Sequence, residues 1–163
     1  MLHRKDLTLV LENPAPAPSR ARLMVEATAP FAGAALITVT AFLLFQGSLP
    51  DKIATHFTLG GNADRYSTPA TTLGQYLLLF AIQTIGALGV VFSIKAAPRA
   101  ARGLRTFCCG LAAGTAYDLI ATLWVVSDSS GRNVHLPSYQ WAVDVLVGAG
   151  VAAAVWFASR SRA

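Results

Sequence analysis

The chain has 163 residues, of which 54% are hydrophobic and only 13% are charged. A soluble domain carries about a quarter charged residues, so this composition argues against an ordinary soluble domain and favours a membrane protein. The net charge of +5 would suggest nucleic-acid binding in a soluble protein. Here the hydrophobic residues form four long blocks, and we expect the lipid bilayer as partner and no nucleic acid.

Residues 1–22 contain a proline-rich run that favours extended, unpacked backbone, so we expect a flexible cytoplasmic tail. The first predicted span covers residues 29–47. It has Pro30 in its first turn, where the missing N–H costs little. A second short tail, residues 160–163, is expected to be cytoplasmic as well.

The polar interval 49–69, with the sequence LPDKIATHFTLGGNADRYSTP, separates the first two hydrophobic blocks. Its apolar residues Leu49, Ile53 and Phe57 recur every four positions. This spacing predicts a short amphipathic helix after Ser48 as N-cap, lying at the membrane surface. Gly60 and Gly61 would end that helix and begin a turn.

The second predicted span covers residues 71–94 and carries Gln75, Gln83 and Gly86 on roughly one face. A polar group exposed to lipid would be left unsatisfied, so this face is expected to look into the helix bundle.

The last two predicted spans, 106–126 and 139–159, each carry small and polar residues at four-residue steps. These residues are Gly110, Gly114 and Asp118 in the third span, and Gln140, Asp144, Gly148 and Ala152 in the fourth. Small residues allow close helix approach, and an intramembrane acid is expected to face the bundle interior. The sequence therefore predicts an all-α, four-helix transmembrane bundle.

The basic residues predict the orientation of this bundle. With both termini cytoplasmic, ten basic residues lie inside: Arg4, Lys5, Arg20, Arg22, Lys95, Arg99, Arg102, Arg105, Arg160 and Arg162. Three lie outside: Lys52, Arg65 and Arg132. This split follows the positive-inside rule and places the 49–69 loop on the extracytoplasmic side of the membrane.

Asp118 and Asp144 are expected at similar depth on adjacent antiparallel helices, roughly 12 Å and roughly 9 Å from the outer helix ends. One hypothesis is an ion, proton or ligand site, with Gln75, Tyr117 and Gln140 as neighbours. The alternative is that each carboxyl accepts hydrogen bonds from nearby side chains and only fixes helix register.

His56 and Asp64 form the other candidate pair. They would share a proton, bind a metal or hold a polar ligand. Alternatively, His56 bonds to loop backbone and Asp64 caps a turn. No HxxxH or HExxH spacing is present, and Cys108 and Cys109 are adjacent within a span, so we expect neither a metal site nor a cofactor.

The 49–69 loop resembles the signature of the bacterial membrane family called domain of unknown function 1648 (DUF1648). The matching residues are Leu49, Pro50, Asp51, Lys52, His56, Phe57, Gly61, Asp64 and Tyr66. Ala54 and Ala63 stand where proline is common in the family, and Pro69 stands where lysine is common. The same module begins SdpI-type proteins, which give immunity to a secreted peptide toxin and take part in signalling.

The resemblance implies a small multipass membrane protein and identifies no activity. We expect a non-enzymatic binding, sensing or immunity-type protein whose outer loop contacts a peptide, a lipid or another membrane protein. The candidate contact residues are Pro50, Asp51, His56, Phe57, Gly61, Asp64 and Tyr66. The alternative is a small transporter or proton-coupled permeation unit that uses Asp118 and Asp144. A membrane enzyme acting on lipid through His56 and Asp64 has the least support, since no nucleophile or metal set accompanies them.

Overall fold

The computed structural model describes residues 18–58, 60–94, 97–129 and 134–160. Four long helices dominate these residues: α1 (Arg20–Phe45), α2 (Pro69–Ser93), α3 (Pro98–Asp128) and α4 (Gln140–Arg160). All four are long and apolar enough to cross a membrane. The predicted four-helix fold is therefore confirmed, and the chain has the character of a multipass membrane protein. Most of the predicted N-terminal tail, residues 1–17, lies outside the described residues.

Helix α3 is the central element of the bundle. It packs extensively against α1 and α4, and α1 packs in turn against α2. Helices α2 and α3 meet over only a small area, although both lie against α1. This arrangement leaves a lateral opening beside α3, which becomes important for the candidate site.

The inward face of α1 follows the helical period. Its buried residues recur at steps of three or four: Leu23, Ala27, Phe31, Ala34, Thr38 and Phe42. The opposite face exposes large apolar side chains such as Leu36, Ile37 and Leu44. In a soluble protein such a surface would aggregate, whereas in a bilayer it faces acyl chains of the same polarity.

The predicted amphipathic helix in the 49–69 loop is wrong. The structure has a two-stranded antiparallel hairpin there, with β1 (Ile53–Phe57) paired to β2 (Ala63–Ser67). Ile53 is buried and Phe57 is partly buried against the core, so both apolar residues do face inward. A spacing of four residues places two side chains on one side of a strand as well as of a helix, so the pattern did not distinguish the two. β-Branched and aromatic residues in β1 favour the strand.

Two further details differ from the expectations. Ser48 caps no helix, because it ends a 3-10 turn (Gln46–Ser48), where its hydroxyl donates to the Phe45 carbonyl and contacts the Ser127 hydroxyl. Pro30 lies well inside α1 and not in its first turn. Proline is tolerated inside membrane helices because neighbouring helices and local adjustments satisfy the freed backbone groups.

Candidate functional site

The hairpin and the connection between α3 and α4 together form a cap over one end of the bundle, which we call the hairpin end. The Leu136 N–H donates to the Gly61 carbonyl at 2.9 Å, and Asn62 forms a β-bridge with His135. Gly61 has a φ of +83°, and a Cβ on it would lie 1.8 Å from the Leu136 carbonyl oxygen. Only glycine fits this junction without a backbone shift.

His56 and Asp64 meet across the two strands of the hairpin. The His56 Nδ1 and Asp64 Oδ1 atoms lie 2.5 Å apart, with 57% and 43% of the two side chains exposed. The pairing register is irregular on both sides of His56, which displaces the regular alternation of side chains. The imidazole is therefore oriented by Asp64, and the predicted alternative of a His56 bond to loop backbone is not what the structure shows.

Glycines bring α3 and α4 into backbone contact. A Cβ on Gly110 would lie 2.7 Å from the Gly148 carbonyl oxygen, and one on Gly114 would lie 2.9 Å from the Asp144 carbonyl oxygen. Asp118 lies one turn beyond Gly114 on α3 and Asp144 lies one turn before Gly148 on α4, so the two carboxyls lie close together at this interface. The two acids therefore form one pair, set by the same four-residue spacing as the glycines.

Asp144 also has a partner on its own helix. Gln140 Nε2 donates to Asp144 Oδ1 at 2.9 Å. This bond orients one carboxyl oxygen of Asp144. The other carboxyl oxygens of Asp144 and Asp118 can accept hydrogen bonds from a ligand.

A cavity of about 310 Å³ lies between the hairpin and the two carboxyls, and we call it the cap cavity. Its polar lining includes His56, Tyr76, Asp118, Thr122, Gln140 and Asp144. Phe57, Gly61 and Trp141 also line it. The structure thus joins the hairpin histidine and the intramembrane acids in a single space.

Tyr76 is a cavity residue that the sequence analysis missed. Its side chain is only 6% exposed, and within the described part of the chain its hydroxyl has no hydrogen-bond partner. A buried hydroxyl normally has a partner, so the unpaired hydroxyl of this cavity-lining residue makes Tyr76 a candidate ligand contact. The one available signal was a phenol directly after Gln75, near the start of a mostly apolar helix.

A second cavity, about 540 Å³, leads from the carboxyl pair along the lateral opening between α2 and α4; we call it the lateral groove. Besides Asp118 and Asp144 it is lined by apolar residues that include Leu79, Phe107, Leu111, Val145 and Ala149. Gln83 also lines the groove, and its Nε2 donates to Thr115 Oγ1 at 2.8 Å. The groove is therefore polar at the carboxyl pair and mostly apolar beyond it.

Several predicted site residues lie elsewhere. Gln75 and Tyr117 are exposed and are not among the residues that line the cap cavity or the lateral groove, so their role as neighbours of the aspartates stays a prediction. Gln75 is in the second turn of α2, near the hairpin end, where its amide has no need of a partner inside the bundle. Asp51 and Tyr66 are exposed on the cap, and Pro50 is half-buried beside it.

The opposite end of the bundle, which we call the arginine end, has its own polar contacts. Arg105 donates to the Ser159 hydroxyl and lies 4.0 Å from the Glu26 carboxylate. Arg102 and Arg160 both lie over the Trp156 ring, at 5.8 and 5.7 Å from its centroid. These contacts tie α1, α3 and α4 together away from the candidate site.

Among the described residues, no group of three or more His, Cys, Asp or Glu side chains is placed to hold a metal ion. Cys108 is buried in the core and Cys109 is half-buried beside it. Both lie far along α3 from the cap and are packing residues.

Comparison with known proteins identifies one domain. Residues 33–81 match the family model described as Domain of unknown function (DUF1648). The match covers the second half of α1, the hairpin and the first half of α2, and it confirms the resemblance to this family. No curated protein and no solved structure matches the chain.

Proposed function

We propose that this DUF1648 protein is a non-enzymatic binding protein of the bacterial plasma membrane, which receives a positively charged group in the cap cavity. The main observation behind the proposal is that the hairpin and the two aspartates line the same cavity. Asp118 and Asp144 lie below it, and the hairpin with His56 forms its wall. An outer loop that binds and an intramembrane acid pair are then parts of one site.

The chemistry of the lining favours a cation. Two neighbouring carboxyls repel each other when both are ionised, and a bound positive charge relieves that repulsion. A carboxylate inside a span costs about 2.5–3.5 kcal/mol on insertion scales, which a cationic partner offsets. The Trp141 ring in the same lining provides a face for cation–π contact.

The arrangement gives little support to an enzyme. The His56 ring is held by Asp64, and among the described residues no serine, threonine or cysteine is hydrogen-bonded to it. A histidine that activates a nucleophile needs that nucleophile within hydrogen-bonding reach. His56 is better suited to contacting a ligand at the cavity wall.

The hairpin end is proposed to face the extracytoplasmic side. In the described residues the arginine end carries Arg20, Arg22, Arg99, Arg102, Arg105 and Arg160, whereas the hairpin end carries Lys52 and Arg65. This asymmetry supports cytoplasmic termini under the positive-inside rule. The cap cavity would then sample ligands arriving from outside, as a sensing or immunity-type protein requires.

A test uses the purified protein in nanodiscs of neutral phosphatidylcholine, with tetramethylammonium, ethylammonium and guanidinium as probes. We expect at least one cation to bind and to raise the melting temperature, while the neutral analogue urea does not. The double variant Asp118→Asn/Asp144→Asn should lose this effect. Asp128→Asn, at an exposed position at the hairpin end, is the matched control and should retain it. Equal responses of the double variant and the control would refute a charge-recognising site.

A second candidate function is proton-coupled permeation. It is favoured by three neighbouring cavities that share lining residues from the hairpin end toward the arginine end. The lateral groove shares both aspartates with the cap cavity. A further groove of about 610 Å³ shares Gln83, Phe107 and Leu111 with the lateral groove and extends to Ile94 near the arginine end. Proton flux into liposomes that falls in the Asp118→Asn/Asp144→Asn variant would favour permeation; unchanged flux would exclude it.

A further inference from the structure

We propose that the ligand is a single-chain amphiphilic cation, whose charged head lies at Asp118 and Asp144 and whose aliphatic chain lies in the lateral groove. This inference rests on the proposed function and specifies its ligand class. It starts from the position of the carboxyl pair, which lines both the cap cavity and the lateral groove. A molecule with one polar and one apolar end is the chemistry that such a junction fits.

One unpaired polar group supports a polar head at this junction. The buried Tyr76 hydroxyl, on the cap-cavity side, has no partner in the described ranges. Native proteins pair nearly all buried polar atoms, so this hydroxyl is a candidate contact for the head of the ligand. On the groove side, the Gln83 amide donates to Thr115, and the rest of the lining beyond the carboxyls is mostly apolar.

The groove also has the shape that an aliphatic chain requires. Helix α3 forms its floor, while Leu79 on α2 and Val145 on α4 lie at its sides. Leu79 and Val145 are both exposed, so the groove is open along the apolar flank of the bundle. A chain already dissolved in the bilayer can therefore enter sideways, without passing through water.

Charge determines which amphiphile fits. The groove leads directly to two carboxyls, and the described part of its lining contains no arginine or lysine that would receive an anionic or zwitterionic phosphate. Six of the described arginines lie at the arginine end of the bundle, and the seventh, Arg65, lies on the hairpin and does not line the groove. An ammonium or guanidinium head complements the pair, whereas a phosphate head would be repelled.

The experiment compares two probes with the same head and different chains, tetramethylammonium and dodecyltrimethylammonium, on the full chain in phosphatidylcholine nanodiscs. We expect the long-chain probe to bind at least about tenfold more tightly after correction for its partition into empty nanodiscs. Dodecyl maltoside has the same chain with a neutral head, and we expect it not to compete.

Matched variants separate the groove from the carboxyl site. Ala149→Phe fills the groove and should reduce the long-chain advantage to less than about threefold, without changing tetramethylammonium binding. Ala154→Phe makes the same change on another face of α4, at an exposed position outside the described cavities, and should keep the full advantage. Val145→Trp, at an exposed groove position, tests the same point if Ala149→Phe does not fold.

Each outcome decides a different claim. If both probes bind with equal affinity, the chain contributes nothing and the amphiphile inference is overturned while the proposed function stands. If dodecyl maltoside competes, or if Asp118→Asn/Asp144→Asn still binds the long-chain probe, the groove is a nonspecific apolar surface and the inference fails. If no cationic probe binds at all, the proposed function itself fails.

Discussion

Gly61 and Leu136 are in backbone contact, which joins the hairpin to the described part of the α3–α4 connection. The Leu136 N–H donates to the Gly61 carbonyl, and the Cα of Gly61 approaches the Leu136 carbonyl oxygen where no side chain fits. Gly61 lies within the 33–81 segment that matches the DUF1648 model, but its contact residue Leu136 lies outside that segment. The cap is therefore completed by a part of the chain that the domain itself does not contain.

Substituting Gly61 tests this junction. Gly61→Ala forces a Cβ onto a positive φ, which costs about 1–2 kcal/mol, and adds a clash with the Leu136 carbonyl that costs about 1–3 kcal/mol. We expect a lower melting temperature and faster protease cleavage within the hairpin. Gly60→Ala is the control, because a Cβ there meets only ordinary contacts at 3.8 and 3.9 Å. If the two variants are equally stable, the close approach of Gly61 to Leu136 is incorrect.

The α3–α4 interface makes a similar prediction within the apolar region. Gly148→Ala places a Cβ 2.8 Å from the Gly110 carbonyl oxygen, so the helices must separate at a cost of about 1–3 kcal/mol. On the same helix, a Cβ on Gly150 meets nothing within 4 Å in the described structure. Gly150→Ala should be neutral or stabilising by up to about 1 kcal/mol. Unfolding free energies from denaturing-detergent titration compare the two, and a reversed order contradicts the interface.

The His56–Asp64 pair is expected to orient a side chain more than it stabilises the fold. Both groups are substantially exposed, so Asp64→Asn should lower the free energy of unfolding by less than about 1 kcal/mol. The imidazole should nevertheless gain rotamer freedom, visible as a change in its NMR line shape. Asp51→Asn, on the exposed cap surface, should leave that signal unchanged. A loss of stability as large as that of Gly61→Ala would show that the pair has a structural role instead.

Arg105 is expected to be the most important cation at the arginine end. Arg105→Ala removes its contacts with Ser159 on α4 and Glu26 on α1, and we expect a loss of about 1–2 kcal/mol because the group is only partly screened by solvent. Arg99→Ala, at an exposed position in the first turn of α3, should change stability by less than about 0.5 kcal/mol. Denaturation of the two variants under the same conditions distinguishes them. If the Arg105→Ala and Arg99→Ala variants are equally stable, the contacts of Arg105 with Ser159 and Glu26 do not stabilise the fold.

Membrane orientation is testable with two matched arginine positions. On a Cys108→Ala/Cys109→Ala background, Arg65→Cys on the hairpin should react with a membrane-impermeant maleimide in intact cells. Arg99→Cys should react only after the membrane is opened. The opposite labelling pattern would place the termini outside and refute the proposed sidedness.

The sequence alone determined the number of long helices and the identity of the acid pair. Runs of about 20 apolar residues that enter a bilayer must satisfy their backbone internally, and this restricts them to helices. Within α3 and α4, four-residue spacing placed Gly110, Gly114 and Asp118 on one side, and the structure packs that side against α4. The spacing alone was sufficient to predict this packing face, because the same helical period holds along the whole of a long helix.

The tertiary structure decided what lies between the helices. The loop formed a hairpin where a helix was expected, because the pairing of β1 with β2 and the contact of Gly61 with Leu136 cannot be read from a four-residue spacing. Tyr76 faces the cap cavity and Gln75 does not, a choice set by the rotation of α2 against α1. The opening beside α3 exists because α2 packs on α1 and scarcely touches α3. These features depend on contacts between residues far apart in the chain, which local patterns do not encode.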